Sequence, residues 1–126
     1  MGQQHMSKTS EVDEIAAASM AVVDRHIAAM STRDIDTIAA DYSEDTVIIT
    51  TLAPEPLIGK AAMKAFLATL MAAGAQELDT AAAPTFTRKE AVGEYVYLAF
   101  DLGNGRTATE TYHIENDRVV FETATF

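Results

Sequence analysis

The sequence predicts one α+β domain. Apolar residues with helical spacing fill the N-terminal half of the 126-residue chain, and four runs rich in β-branched and aromatic residues fill its C-terminal part. Only short connections separate those four runs, as in sequential antiparallel strands, and no helical segment alternates with them. We therefore predict helices packed on a mostly antiparallel sheet.

Two helices are predicted at the N-terminal end. The first begins at an approximate capping box formed by Ser10 and Asp13. The second is short and begins after Thr32 or Asp34, and Tyr42 completes its buried stripe.

The rest of the chain predicts strands and one further helix. Residues 46–52 are rich in β-branched residues and predict a strand after a turn at 43–45, and the prolines of 53–56 end it. A third helix is predicted over 60–73, with Gly74 as its C-terminal stop. Residues 75–83 show no clear pattern. The four final strands are predicted over 82–89, 95–102, 106–115 and 119–126.

Composition excludes several classes of protein. The net charge is −10, from 19 acidic and 9 basic residues, so the chain lacks the basic face that nucleic acid or an anionic membrane surface requires. It has no cysteine, which excludes disulfides and thiolate chemistry. Neither a membrane span nor a signal peptide is recognisable, which predicts a cytoplasmic protein. Residues 1–9 are predicted to be a disordered tail or a cloning remnant before a single domain over 10–126.

The turn near Gly105 decides which residues share a face of the sheet. If 104–105 alone form the turn, the alternate residues from Val96 to Leu102 share their face with those from Thr107 to His113. If 103–105 form the loop, that row shares its face with the alternate residues from Ala108 to Ile114. We favour the second register because it collects the apolar residues on one side.

Three titratable residues are candidates for chemistry. In the favoured register Glu110 lies on the apolar face, where it must pair, meet water or take up a proton; in the other it is a surface acid. His26 lies on the apolar stripe of the first helix, either as a hydrogen-bonded core residue or as a proton-transfer group. Glu122 faces the interior only if the even-numbered residues of the last strand do, and it is exposed if the odd-numbered ones do.

No metal site or phosphate loop is predicted. His5 and His113 have no nearby acid with ligand spacing, and no HExxH-type motif occurs. The segment 103–105 lies in a hairpin with no helix after it, so it does not predict phosphate binding.

The segments from Val22 to Phe66 and from Thr109 to Phe126 resemble the NTF2-like superfamily, which includes ketosteroid isomerases and SnoaL-like polyketide cyclases. The resemblance implies a cone of three helices packed on a strongly curved sheet with an internal pocket. VVDRHIAAM is similar to the family segment in which a tyrosine donates to the oxyanion, and His26 stands at that position. TETYHIEND is similar to the strand that carries a protonated acid, and Glu110 stands there. RVVFETATF is similar to the last strand, which would place Glu122 in the pocket.

One position departs from the isomerase pattern. The general base of the isomerases ends the first strand, in a segment similar to TVIITTLAPEP, and Ile49 and Thr50 stand there. Steroid isomerisation therefore lacks its base. SnoaL-like cyclases use one acid–base residue with help from histidine and need no cofactor, a pattern that Glu110 and His26 fit.

The resemblance implies a function and partners. We expect a cofactor-independent enzyme that performs acid–base chemistry on a small hydrophobic carbonyl compound, with Glu110, His26 and Glu122 as catalytic residues. The alternative is a non-catalytic pocket protein that binds a hydrophobic ligand or a partner protein, and the sequence leaves this choice open. The expected ligand-binding residues are Val22, Tyr42, Phe66, Leu98, Phe100 and Tyr112.

A homodimer is also expected. Threonine and tyrosine suit a flat contact between two sheets. NTF2-like folds commonly pair through this surface, so the resemblance implies the same contact. The outer face predicted for the last strands carries Tyr95, Tyr97, Thr107, Thr109, Thr111 and His113.

Overall fold

The computed structural model describes residues 2–74, 84–103 and 105–126, with side chains from residue 11 onward. These residues form three helices and six strands. The helices are α1 (Gly2–Met30), α2 (Ile35–Ala39) and α3 (Lys60–Ala73). The strands are β1 (Tyr42–Thr50), β2 (Leu57–Ile58), β3 (Thr85–Val92), β4 (Tyr95–Gly103), β5 (Arg106–Glu115) and β6 (Arg118–Thr125).

One curved sheet holds these strands in the order β2-β1-β6-β5-β4-β3. The β1–β6 pair is parallel, and the other neighbouring pairs are antiparallel. The predicted fold class, an α+β arrangement of helices on a curved and mostly antiparallel sheet, is confirmed. No helix in the described ranges is both long and apolar enough to span a bilayer.

The core forms where the helices cover the inner face of the sheet. Each large apolar side chain removed from water there contributes about 1.5–3 kcal/mol, which is what docks the helices. Its largest members are Val22, Val23, Met30, Ile38, Tyr42, Ile48, Met63, Leu67, Val96, Leu98, Phe100, Tyr112, Ile114 and Val119.

Three predictions about the ends of elements are wrong. Helix α1 begins at Gly2 rather than near Ser10, and residues 3–9 contain no glycine or proline that would stop it earlier. Tyr42 belongs to β1 rather than to the stripe of α2, and the predicted turn at 43–45 lies inside β1. The ladder between β1 and β6 is irregular at this point, so polar residues are accommodated within the strand. The division of the chain at residue 10 stays a prediction.

Strand β3 is displaced from its predicted range. It runs to Val92, where it pairs with Tyr95 across a tight turn, rather than ending at Lys89. The predicted start of this strand at Ala82, and the segment 75–83 as a whole, lie outside the described residues.

The hairpin between β4 and β5 combines features of both predicted alternatives. Gly103 pairs with Arg106, so the ladder closes more tightly than a loop over 103–105 would allow. Leu102, however, is left out of the ladder, and this bulge places Leu98 opposite Glu110. The favoured register is therefore confirmed, and Glu110 lies on the inner face.

Strand β6 changes its inward face partway along. Val120 is left out of the ladder with β5 as a β-bulge. Val119 is buried before the bulge, and Glu122 and Ala124 are buried after it. Each of the two faces considered from the sequence is thus correct for one part of the strand.

Candidate functional site

A cavity of about 90 Å³ lies between the helices and the inner face of the sheet. Since roughly 10–15 Å³ is enough for one water molecule, the space admits a small ligand. The polar residues in its lining are His26, Tyr42, Thr50, Glu110 and Glu122. The apolar lining includes Ile48, Met63, Phe66, Leu98, Phe100 and Phe126.

The first polar group of the cavity is a chain of three side chains. The hydroxyl of Tyr42 donates a short hydrogen bond to Oε1 of Glu122. The same hydroxyl lies 3.4 Å from Nε2 of His26. The imidazole ring also meets the tyrosine ring edge-on, with centroids 5.3 Å apart. Residues from α1, β1 and β6 therefore meet at one hydroxyl.

The second polar group is a pair on β5. The hydroxyl of Tyr112 donates to Oε1 of Glu110 over 2.7 Å. The two residues are two positions apart, so the strand places them on the same face. Each carboxyl in the cavity therefore accepts a hydrogen bond from a buried tyrosine.

Burial changes the acid strength of both carboxyls. It raises the pKa of Glu110 from 4.5 to about 7, against the opposing effect of the Tyr112 hydrogen bond. Burial also raises the pKa of Glu122, and the negative charge of Glu110 raises it further, while the hydrogen bond from Tyr42 opposes the change. Since the two charges disfavour each other, the cavity retains a proton near neutral pH.

The other polar side chains are neutral at that pH. Burial lowers the pKa of His26 to about 4, although the negative charge of Asp41 opposes this change. Burial raises the pKa of the Tyr42 and Tyr112 hydroxyls, so both keep their protons. Nδ1 of His26 is buried without a hydrogen-bond partner in the described part of the chain.

An ion pair beside the cavity fixes the contact between α1 and β1. Nε of Arg25 lies 2.6 Å from Oδ1 of Asp41, whose side chain is 8% exposed. The backbone carbonyl of Asp41 accepts a hydrogen bond from the amide of Val119. Arg25 and Asp41 directly precede His26 and Tyr42, so this pair holds in place the two residues that meet inside.

Most of the residues predicted for the site meet in this cavity. Val22 and Tyr112 do not line it; both are 1% exposed in the core, and Tyr112 reaches the site through its bond to Glu110. Thr50 lines the cavity, whereas Ile49 faces outward and is 47% exposed. Which of these residues bind or react stays a prediction. The predicted residues that line the cavity are His26, Tyr42, Phe66, Leu98, Phe100, Glu110 and Glu122.

Sequence reasoning missed two contacts. It assigned Tyr42 to a helix and so did not place its hydroxyl on Glu122. It also found no acid with metal-ligand spacing near His113, whereas candidate ligand atoms of Glu94, His113 and Glu115 lie within 4.8 Å of one another on the outer face. The pairing of Tyr95 with His113 in the favoured register is the signal that would have placed Glu94 there.

Several solved structures share this fold. A candidate polyketide cyclase from Xanthomonas campestris pv. campestris is 17% identical, with a TM-score of 0.66, over 89% of this chain and 92% of that one. An LEH-like epoxide hydrolase from M. tuberculosis is 15% identical, with a TM-score of 0.62, over 88% and 84%. A candidate ketosteroid isomerase from Kribbella flavida is 20% identical, with a TM-score of 0.61, over 87% and 78%. Identities this low show the fold alone.

The sequence also matches a family directly. No curated protein matches it. The sequence model of the SnoaL-like domain, however, matches residues 23–120, which include most of the helices and strands that form the cavity. The chain therefore belongs to the SnoaL-like domain family, within the NTF2-like superfamily.

Proposed function

We propose that the cavity is the active site of a cofactor-independent enzyme that moves a proton within a small hydrophobic carbonyl compound. The observation that supports this most is the pair of carboxyls, Glu110 and Glu122, in an otherwise largely apolar cavity. Carboxyls with a pKa raised toward neutrality can exchange protons at physiological pH, as acid–base catalysts must. The apolar lining suits a hydrophobic substrate.

The two carboxyls take different roles in the proposed reaction. Glu110, with a pKa of about 7, acts as a carboxylate that removes a proton from the carbon beside the carbonyl. The C–H bond breaks, its electron pair moves onto the carbonyl oxygen, and protonated Glu122 donates a hydrogen bond to that oxygen. Glu110 then gives the proton to a second carbon of the conjugated enolate, the electron pair on oxygen re-forms the C=O bond as the new C–H bond forms, and the protein is left unchanged.

His26 has a positioning role in this proposal. Its pKa of about 4 leaves it uncharged at neutral pH, so it does not supply an imidazolium to the oxyanion. Its Nε2 lies against the Tyr42 hydroxyl, which in turn holds Glu122. His26 therefore acts on the substrate only through Tyr42 and Glu122.

Hydrogen exchange at the reacting carbon tests the proposal. Cyclic ketones and polyketide-like carbonyl compounds are first screened by thermal shift, because a ligand of the native state raises its melting temperature. For each ligand found, exchange of the α-hydrogen for deuterium is followed by NMR. Glu110→Gln should lower the exchange rate by roughly 10²–10⁴-fold. Glu115→Gln, at the exposed end of the same strand, should leave the rate unchanged.

The second candidate function is non-catalytic binding of a hydrophobic ligand or a partner protein. Thr50, which has no basic group, stands where the isomerases carry their base and lines the cavity, and this favours the alternative. If Glu110→Gln lowers ligand affinity while the parent protein shows no exchange with any ligand, binding without catalysis is the function.

We also propose that the chain forms a homodimer through the outer face of the sheet. Tyr97, Thr111, Thr123 and Ile49 are neighbours across β4, β5, β6 and β1, and they form an uncharged row. Light scattering should show a dimer at micromolar concentration and a monomer for Thr123→Lys. A monomeric parent protein would refute the dimer.

A cytoplasmic location stays a prediction from the sequence.

A further inference from the structure

The cavity offers more hydrogen-bond acceptors than donors. One oxygen of Glu110 and one of Glu122 accept from tyrosines, and within the described residues no hydrogen bond reaches the second oxygen of either. Nδ1 of His26 is likewise without a partner there. Apart from a carboxyl proton, the donors in the lining are the hydroxyls of Tyr42 and Thr50 and the single N–H of the neutral His26 ring. The Tyr42 hydroxyl already donates to Glu122, and Tyr112, behind the lining, donates to Glu110.

The cavity also lacks a positive charge of its own. Among the described residues that line it there is no lysine or arginine. The nearby cations pair with acids outside the cavity: Arg25 with Asp41, Lys60 with Glu44 and Lys64 with Asp36. Charged carboxyls in apolar surroundings are unfavourable without a counter-charge, so a ligand that brings one is stabilised.

An organic cation fits these carboxyls better than a metal ion does. In the described part of the chain, one group of three candidate metal ligands has its atoms within 4.8 Å, and it lies on the opposite face of the sheet. Glu110, Glu122 and His26 do not come that close together. The surrounding wall, with Phe66 and Phe100, suits hydrocarbon rather than the water shell of a metal ion.

We infer that the cavity binds a small apolar amine in its protonated form, with the ammonium group between Glu110 and Glu122 and the hydrocarbon against the apolar wall. The ammonium N–H groups donate to the free carboxyl oxygens. This inference rests on the proposed function in using the same cavity. An ammonium group between the two carboxyls takes the place of the reacting carbonyl group, so the amine binds instead of the substrate.

Binding of an ammonium group favours the ionised carboxyls, so the protein must release protons when the amine binds. Affinity should therefore rise as the pH increases through the pKa of Glu110, which is about 7. Burial and the charge of Glu110 also raise the pKa of Glu122, so an ammonium group favours loss of its proton as well. The remaining titratable groups near the site are His26, Tyr42 and Tyr112, and their shifted pKa values keep them neutral throughout this range. The nearest further charge, Asp41, is paired with Arg25.

Calorimetric titration of the full chain with three probes of similar shape tests the inference. The probes are benzylamine, benzyl alcohol and benzoate. We expect benzylamine to bind at least about tenfold more tightly than benzyl alcohol, because only the ammonium group makes charge-assisted hydrogen bonds to the carboxyls. A tenfold ratio of affinities corresponds to about 1.4 kcal/mol. Benzoate should not bind. Titrations in two buffers of different ionisation enthalpy should show release of about one proton near neutral pH.

Matched variants locate the ammonium group. Glu110→Gln and Glu122→Gln should each weaken benzylamine binding at least about tenfold and leave benzyl alcohol binding unchanged. Glu115→Gln should change neither. Equal affinity of the parent protein for the amine and the alcohol, or benzylamine affinity unaffected by both glutamine variants, would overturn the inference. The probe comparison and the proton count use the parent protein, so they decide the matter even if a variant fails to fold.

The outcomes separate this inference from the proposed enzyme activity. If benzylamine binds as expected but no carbonyl compound exchanges its α-hydrogen, the inference stands and the enzyme proposal falls. If carbonyl compounds without an amine exchange in a Glu110-dependent way and benzylamine does not bind, the enzyme proposal stands and the inference falls.

Discussion

The two faces of β5 and β6 carry polar residues one position apart and use them differently. On the outer face Thr111 lies opposite Thr123, and both are partly exposed. On the inner face Tyr112 lies opposite Glu122, and both are buried. Burial under the helices, more than residue type, therefore decides on which face of the sheet acid–base chemistry is possible.

The two histidines whose side chains the structure describes repeat this contrast. His113, on the outer face, stacks on Tyr95 with centroids 4.6 Å apart and has a carboxylate oxygen of Glu94 at 3.3 Å. His26, under the helices, is 6% exposed and loses its charge because of burial. Both histidines lie beside a tyrosine ring, so the ring itself does not account for the difference.

The test of this contrast with the largest change in stability is truncation of one tyrosine on each face. Tyr112→Ala removes a ring that is 1% exposed and should lower the free energy of unfolding by about 3–5 kcal/mol. Tyr95→Ala removes a ring that is 55% exposed and should cost less than about 1 kcal/mol. Urea denaturation measures both. Similar losses at the two positions would contradict the contrast.

The second test is the pH dependence contributed by Glu110. Its folded-state pKa of about 7 exceeds the ordinary value of 4.5, so its stabilising contribution is complete below 4.5 and is lost as the pH rises through 7. The difference in unfolding free energy, Glu110→Gln minus parent, should therefore rise across this range by up to about 1.4 kcal/mol per pH unit. Glu115→Gln is the control. A curve for Glu110→Gln that runs parallel to the parent would show that Glu110 behaves as a surface acid.

Substitution of His26 should change the pH dependence of stability in the opposite direction to substitution of Glu110. Its folded-state pKa of about 4 lies below the ordinary 6.5, so its contribution is present above 6.5 and is lost as the pH falls through 4. The difference for His26→Gln minus parent should thus fall as pH rises from 4 to 6.5. Glu110 and His26 change the unfolding free energy of the parent protein in opposite directions over much of this interval. The unfolding free energy of the parent should therefore vary less with pH than either variant-minus-parent difference does. A rise for His26→Gln would contradict the assignment.

The smallest expected effect comes from removal of one hydroxyl on each face. Tyr42→Phe loses the hydrogen bond to Glu122 and should cost about 1–2 kcal/mol. It should also raise the pKa of Glu122 further, because that bond favours the carboxylate. Tyr97→Phe, on the outer face, should change stability by less than about 0.5 kcal/mol. Carboxyl NMR titration and urea denaturation check both, and an unchanged Glu122 titration in Tyr42→Phe would show that the bond is unimportant.

The sequence predicted what local patterns determine and missed what distant contacts determine. Alternation along β5 was enough to place Glu110 on the inner face, and the helical stripe was enough to place His26. The contact of Tyr42 with Glu122 joins residues 80 positions apart, and no local pattern reports it. The bulges at Leu102 and Val120 were also missed, because an extra residue in a strand leaves composition unchanged while reversing the faces beyond it.

The bulge at Val120 makes the character of the cavity depend on strand length. Insertion of one residue directly after Val120 would shift the rest of β6 by one position and turn Phe121 and Thr123 inward in place of Glu122 and Ala124. Deletion of Val120 itself would only remove the bulge and keep Glu122 opposite Tyr112. A single codon gained at this point thus converts an acidic wall into one of phenyl and hydroxyl groups with no other change in sequence. On this scaffold, an insertion in β6 therefore changes several inward-facing residues at once, whereas a point substitution changes one.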